Sequence, residues 1–202
     1  MRDTLNTLLP ALGFLFLAIA AGWWVGAPAA FLLNFRSPLH KTSLPPAPPV
    51  GPAQTRCLVL VVIDGLRYDT SLKVDVMPTL AALRAQGAYA EMTSLPPTPS
   101  QTGYTTLLTG VHPEISDTHL INAPYDRIRP ITVETIFTTA HRAGLRTAIS
   151  AYHFFEKLIP PSERDTSFFT PGEDAAADDE VMAAALPWLT VNEHALVLIH
   201  LD

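Results

Sequence analysis

Apolar and polar positions alternate differently in three parts of this chain. Between Asp3 and Arg36 no Asp, Glu, Lys, Arg or His occurs, a run longer than the roughly 20 residues a helix needs to cross a bilayer. From Ser37 to Arg56 the pattern breaks: SPLHKTSLPPAPPVGPAQTR holds six prolines in twenty residues, and proline fixes φ and lacks a donor, so this reads as an extended, semi-rigid spacer. Beyond it, short apolar runs alternate with helical spacing. Cys57–Ile63, Arg146–Ala151 and Ala195–Leu201 read as buried strands, and Ala88–Met92 as a further strand. Met77–Gln86, closed by Gly87, Gln101–Leu108, Val133–Ala143, closed by Gly144, and Asp179–Leu189 read as helices. Strand and helix in alternation predict an α/β fold with a mostly parallel sheet flanked by helices.

The N-terminal run admits two readings. A cleaved signal peptide would use Arg2 as its basic start, a core from Leu8 to Ala18, and Ala18-Ile19-Ala20 or Ala27-Pro28-Ala29 as the cleavage pattern. An uncleaved transmembrane anchor would use the whole run to Phe35, and its length favours that reading. Arg2 is offset by Asp3 while Arg36 and Lys41 follow, so a strict positive-inside count puts the C-terminal side in the cytoplasm, on very few charges; the globular part is nonetheless expected on the extracytoplasmic side. The expected division is an anchor or signal segment at 1–36, a Pro-rich linker at 37–56 and a folded part at 57–202.

Composition changes this picture in two places. The net charge is −6 with no Lys/Arg cluster, so nucleic acid is not an expected partner. The single cysteine, Cys57, opens a predicted strand and excludes an intrachain disulfide.

Candidate chemistry begins at LVLVVIDGLRYDT, residues 58–70. In open α/β sheets ligands bind outside the carboxyl ends of the strands, which is where Asp64 falls. Gly65 lets the backbone turn there. A turn or helix-capping aspartate would look the same. The second element is SLPPTPSQTGYTTLLTGVHP, residues 94–113, where a proline-rich loop ends at Ser100 and Gly110 closes the helix. A helix N-terminus offers free N–H groups and the positive end of the dipole to a phosphate or sulfate, although an N-capping serine is the ordinary use of that position.

The strand-ending Asp64, Ser100 at a helix start, and Leu107-Leu108-Thr109-Gly110-Val111-His112-Pro113 together resemble the alkaline phosphatase superfamily. The likeness is to its type I phosphodiesterase/nucleotide pyrophosphatase branch and the related phosphoethanolamine transferases. Met77-Pro78-Thr79-Leu80, with Leu83 and Gly87, and Thr135-Ile136-Phe137 leading to Ala143-Gly144-Leu145-Arg146-Thr147 extend the match over roughly Leu58 to Asp202. The resemblance implies an alkaline-phosphatase-like fold, here incomplete, and a phosphate-ester substrate. It implies Asp64 as a metal ligand and Ser100 as a metal-bound nucleophile passing through a phosphoryl-serine intermediate, with two divalent metal ions, Zn or Mn, in the complete protein. Coordination to a divalent cation would stabilise the serine alkoxide, an otherwise poor nucleophile.

The match departs from the branch in three ways. Nucleotide pyrophosphatases carry Thr with Asn three residues on, whereas this chain has Ser100 and Gly103, closer to the ethanolamine-phosphate transferases or metal-dependent phosphoglycerate mutases. The sequence stops at LVLIHLD, before the Asp-x-x-Gly-His and later His ligands of relatives; His200 and Asp202 reach only the rim of the sheet, so a longer protein or a truncated gene product is expected. His112, His119, His141, His153 and His194 have no ligand spacing and receive no role. A haloacid-dehalogenase-type site would need Asp where Leu66 stands, a Gly-x-Ser-x-Gly elbow is not supported at Ser100, and no Gly-Lys-Ser/Thr occurs. The rival reading is a membrane-anchored, catalytically inactive fragment or binding module that keeps the half-fold.

Overall fold

The computed structural model describes residues 2–40, 45, 54–191 and 193–202, and side chains from residue 8 onward. Most of the expected spacer therefore lies outside the described residues. The chain opens with helix α1 (Arg2–Asn34), which carries Pro10 and Pro28 inside it. Its segment Leu8–Asn34 has a mean hydropathy of 2.0 and, as 27 helical residues, a length of about 40 Å. Phe14, Phe16, Trp23 and Trp24 all project outward from it. This helix is long and apolar enough to cross a membrane.

The folded part is built on four strands, all parallel, in the order β1-β4-β2-β3. In chain order its elements are β1 (Leu58–Ile63), α2 (Tyr68–Ser71), α3 (Pro78–Gln86), α4 (Ser100–Thr109), α5 (Pro113–Ser116), α6 (Ile136–Arg142), β2 (Thr147–Tyr152), α7 (Phe154–Leu158), β3 (Thr166–Thr170), α8 (Ala175–Val191) and β4 (Leu196–Leu201). The central strands alternate their side chains between two layers. Ile149 and Ala151 of β2 and Leu196 and Leu198 of β4 face α4, α6 and α7, meeting Tyr104, Leu108, Phe137, Ala140, Phe155 and Leu158. Ala148, Val197 and Ile199 face the opposite layer, where α8 contributes Val181 and Ala185. Phe137 and Phe155 are wholly buried, each worth on the order of 2–3 kcal/mol of transfer free energy.

Helix boundaries follow local chemistry. The helix expected from Val133 starts later because Thr135 caps it: its hydroxyl accepts from the N–H groups of Phe137 (3.1 Å) and Thr138 (3.0 Å), and Thr138 returns a bond to the Thr135 N–H (3.1 Å). The helix expected over Asp179–Leu189 runs longer, Ala175–Val191, its start fixed by the Asp174 carboxylate accepting from the Ala177 N–H at 3.0 Å.

Three expectations are corrected. Ala88–Met92 is not a strand: it pairs with no strand among the described residues, and with Met92 84 % exposed it lacks the burial that makes apolar residues favour a sheet. Thr166–Thr170, unassigned from sequence, is β3 and pairs with β2 from Ala148↔Thr166 to Tyr152↔Thr170. Finally, β1 is not covered on both faces. It is an edge strand beside β4, in register from Leu58↔Leu196 to Ile63↔Leu201. Leu60 and Val62 pack into the first layer, but Val59, Val61 and Ile63 stay exposed on the other side, because α8 packs over β2, β3 and β4.

Candidate active site

The carboxyl end of β1 and the N-terminus of α4 meet at one point. Asp64 leaves the strand with its N–H still donating to the Leu201 carbonyl (2.9 Å), so β4 fixes its backbone. The turn that follows uses Gly65 at φ +66°, a left-handed conformation glycine adopts without penalty. The Gly65 N–H closes back on Asp64 Oδ1 at 3.0 Å. That leaves Oδ2 facing α4.

On the α4 side, Pro99 occupies the cap position and offers no side-chain cap bond. Other groups secure this helix end. Asn122 Oδ1 accepts from the Gln101 N–H (3.2 Å), and the Gln101 side chain donates to the Ala123 carbonyl (2.8 Å) while accepting from the Ala123 N–H (3.1 Å). Ser100, the first helical residue, is therefore free of capping duty. Its hydroxyl donates to Asp64 Oδ2 at 2.9 Å across 36 residues of sequence. First-turn amides of a helix lack intrahelical partners, so this hydroxyl stands at an anion-attracting end.

Two residues without an assigned role complete the cluster. Tyr104, one turn along α4 from Ser100, donates its phenolic proton to Asp64 Oδ2 as well, at 2.8 Å. His200, on β4, lies 2.8 Å from that phenolic oxygen through Nε2. Since the tyrosine proton goes to Asp64, the hydrogen-bond pattern assigns the His200 proton to Nε2. Nδ1 is then a buried lone pair with no hydrogen-bond partner among the described residues. The i, i+4 spacing of Ser100 and Tyr104 on one helix face was the sequence signal for the tyrosine. His200 carried only its place at the strand end.

Electrostatics follow from this packing. Burial pushes the Asp64 carboxyl up, but hydrogen bonds from Tyr104, Ser100 and the Gly65 N–H, with His200 nearby, outweigh it and hold the group below the ordinary carboxylate range. Burial, then the bond to Asp64 and its charge, push the Tyr104 phenol far above its usual value. Burial also lowers His200 below 6.5, leaving the imidazole neutral at pH 7. Asp202 is raised by its own burial and then by the charges of Asp64, Glu173 and Asp178.

The Asp64 carboxylate and the Ser100 hydroxyl are hard oxygen donors within 2.9 Å of each other, which fits one side of a divalent cation's coordination sphere. Among the described residues no group of three or more His, Cys, Asp or Glu side chains gathers to complete one. Of the other histidines, His112 sits at the start of α5, and His119 lies between the backbone carbonyls of Leu33 and Arg127, its Nδ1 3.1 Å from the first and its Nε2 2.8 Å from the second; neither joins the cluster.

A comparison with curated proteins found no match. The family model that does match is described as type I phosphodiesterase / nucleotide pyrophosphatase and spans residues 58–188, from the first residue of β1 through most of α8, so that both Asp64 and Ser100 fall inside it. On that extent of match, together with a parallel α/β sheet, the chain belongs to the type I phosphodiesterase/nucleotide pyrophosphatase family of the alkaline phosphatase superfamily.

Proposed function

We propose that the chain acts on phosphate esters with Ser100 as nucleophile and Asp64 as the group that positions it, held toward the membrane by α1. Membership of a phosphodiesterase/pyrophosphatase family supports phosphate-ester hydrolysis. The observation that carries the finer reading is the 2.9 Å bond from Ser100 Oγ to Asp64 Oδ2. It fixes the hydroxyl at a helix N-terminus, with its proton already directed to a carboxylate.

In this reading the phosphoryl group of the substrate sits over the first turn of α4, where the positive end of the helix dipole stabilises its oxygens. Ser100 Oγ forms a bond to phosphorus as the bond from phosphorus to the leaving ester oxygen breaks, and Asp64 Oδ2 holds the hydroxyl proton. Water or an alcohol then attacks phosphorus and gives up a proton to the departed ester oxygen, the phosphorus–Oγ bond breaks, and the proton held by Asp64 returns to Ser100. Tyr104 keeps Asp64 in place throughout. A divalent cation, one of two Zn or Mn ions in a complete site, would be held here by Asp64 and Ser100 and would lower the pKa of the hydroxyl.

The test is steady-state turnover of aryl phosphate mono- and diesters, with Zn²⁺ or Mn²⁺ supplied, by the wild-type chain and Ser100→Ala. Loss of at least about 10³-fold in kcat/KM is expected for a nucleophile. Unchanged turnover removes Ser100 from the mechanism. A wild-type chain that binds phosphate esters without turning them over is instead an anchored binding module. Retention of the chain in membrane pellets after alkaline extraction tests the anchor separately.

A further inference from the structure

The end of α1 joins the folded part through a cationic hollow that the candidate active site does not use. It has a volume of about 440 Å³ and is lined by Leu33, Asn34, Arg36, His119, Arg127 and Arg129. Leu33 packs into the core of the folded part, and Ser37 is buried, its N–H donating to Asp117 Oδ1 at 3.2 Å. Asp117, which caps α5 with φ +54°, pairs with Arg36 and, at 3.2 Å, with Arg129. One carboxylate thus pairs with two of the hollow's three guanidiniums, and Arg129 also reaches the His119 ring, at 3.2 Å from Nε2 and 3.0 Å from Nδ1. Arg127 is exposed, and its side chain has no partner among the described residues.

A helix C-terminus ordinarily repels anions through its free carbonyls. Here two of the last are covered: the Ala30 carbonyl accepts from Asn34 Nδ2 (2.7 Å) and the Leu33 carbonyl contacts His119 Nδ1 (3.1 Å). What remains at the foot of the apolar span is net positive charge in a planar, bidentate-donor form suited to phosphate.

We infer that this hollow holds the phosphate of an anionic phospholipid headgroup, clamping the folded part against the bilayer surface. The inference rests on the reading of α1 as a membrane anchor: the apolar segment Leu8–Asn34 ends within the hollow itself, so a span in the bilayer sets Arg36, Arg127 and Arg129 at headgroup depth. A free phosphate ester offers the same chemistry, and the test separates the two.

The full chain is reconstituted into nanodiscs of phosphatidylcholine doped with phosphatidylglycerol, and the lipid retained after detergent release is counted by native mass spectrometry. Wild type is expected to retain phosphatidylglycerol in preference to phosphatidylcholine. Arg36→Gln/Arg127→Gln loses that preference on the order of tenfold, while Arg56→Gln/Lys73→Gln, which removes the same charge elsewhere, keeps it. Arg129 still pairs with Asp117 in the first variant, and an unchanged melting curve confirms its fold. Equal loss in both double variants, or no preference in wild type, overturns the clamp and leaves the anchor standing. Displacement of phosphatidylglycerol by millimolar inorganic phosphate assigns the hollow to soluble phosphate and overturns the lipid assignment. Failure to insert into nanodiscs overturns the anchor reading and the clamp with it.

Discussion

Tyr104 donates its phenolic proton to Asp64 Oδ2 at 2.8 Å, the same oxygen that receives the Ser100 hydroxyl. Three elements converge there, because the tyrosine comes from α4, the carboxylate from the end of β1, and His200 on β4 backs the phenol. The phenol is 5 % exposed as a residue and stacks on Phe155 with ring centroids 4.6 Å apart, so the hydroxyl has little freedom to point elsewhere. Replacing Tyr104 by Phe keeps the stacking and removes the bond to a charged acceptor. It also leaves the His200 Nε2–H buried without a partner. A loss of about 2 kcal/mol in unfolding free energy is expected, read from the urea midpoint. An unchanged midpoint would mean that the phenol does not hold the carboxylate.

His200 makes stability depend on pH. Its folded pKa is below the ordinary 6.5 because burial disfavours the imidazolium, so the unfolded chain binds a proton first as pH falls. Stability therefore rises with pH across this window and is lost progressively as pH drops below 6.5 toward the folded value. Asp64 acts in the same direction at lower pH: its carboxyl is depressed from 3.8, so its contribution is present above 3.8 and disappears as pH falls through the folded value. Urea midpoints between pH 7 and pH 5 should decline less for His200→Asn than for wild type. Equal slopes would show that His200 does not titrate differently in the two states.

The start of α6 depends on one hydroxyl. Thr135 accepts from two amides and is 3 % exposed, and Phe137 behind it is fully buried. Thr135→Ala should cost about 1 kcal/mol, and Thr135→Ser should recover most of it. Thermal denaturation of the two variants beside wild type checks this. A serine variant as unstable as the alanine one would point to lost methyl packing rather than a lost cap.

What could be read from the sequence was what depends on local pattern. The strand endings at Asp64 and the helix start at Ser100 were visible because an apolar run followed by Asp-Gly, and a proline loop followed by small polar residues, are local signals. Gly110 and Gly144 were legible as helix stops and do adopt positive φ. Three-dimensional neighbours were not. β1 reads as a buried strand, yet its place at the sheet edge depends on where β4 and α8 pack, over a hundred residues later. β3 escaped notice because TSFFT is short and has no alternation to mark it. Tyr104 and His200 are ninety-six residues apart, and only the register Val62↔His200 across the sheet brings the histidine beside the Asp64 turn. The tie of Arg36 and Ser37 to Asp117 was equally invisible, since nothing in a proline-rich stretch marks its first residues as docked.

Mapping the covalent intermediate tests whether Ser100 and Asp64 form a single nucleophilic site. The chain is mixed with an aryl phosphate diester and divalent cation, quenched in acid within seconds, digested and analysed by mass spectrometry. The mass of the substrate's phosphoryl group is expected on the peptide bearing Ser100, absent in Ser100→Ala and sharply reduced in Asp64→Asn. Turnover that proceeds with the label on another residue, or an Asp64→Asn chain labelled as fully as wild type, would contradict it.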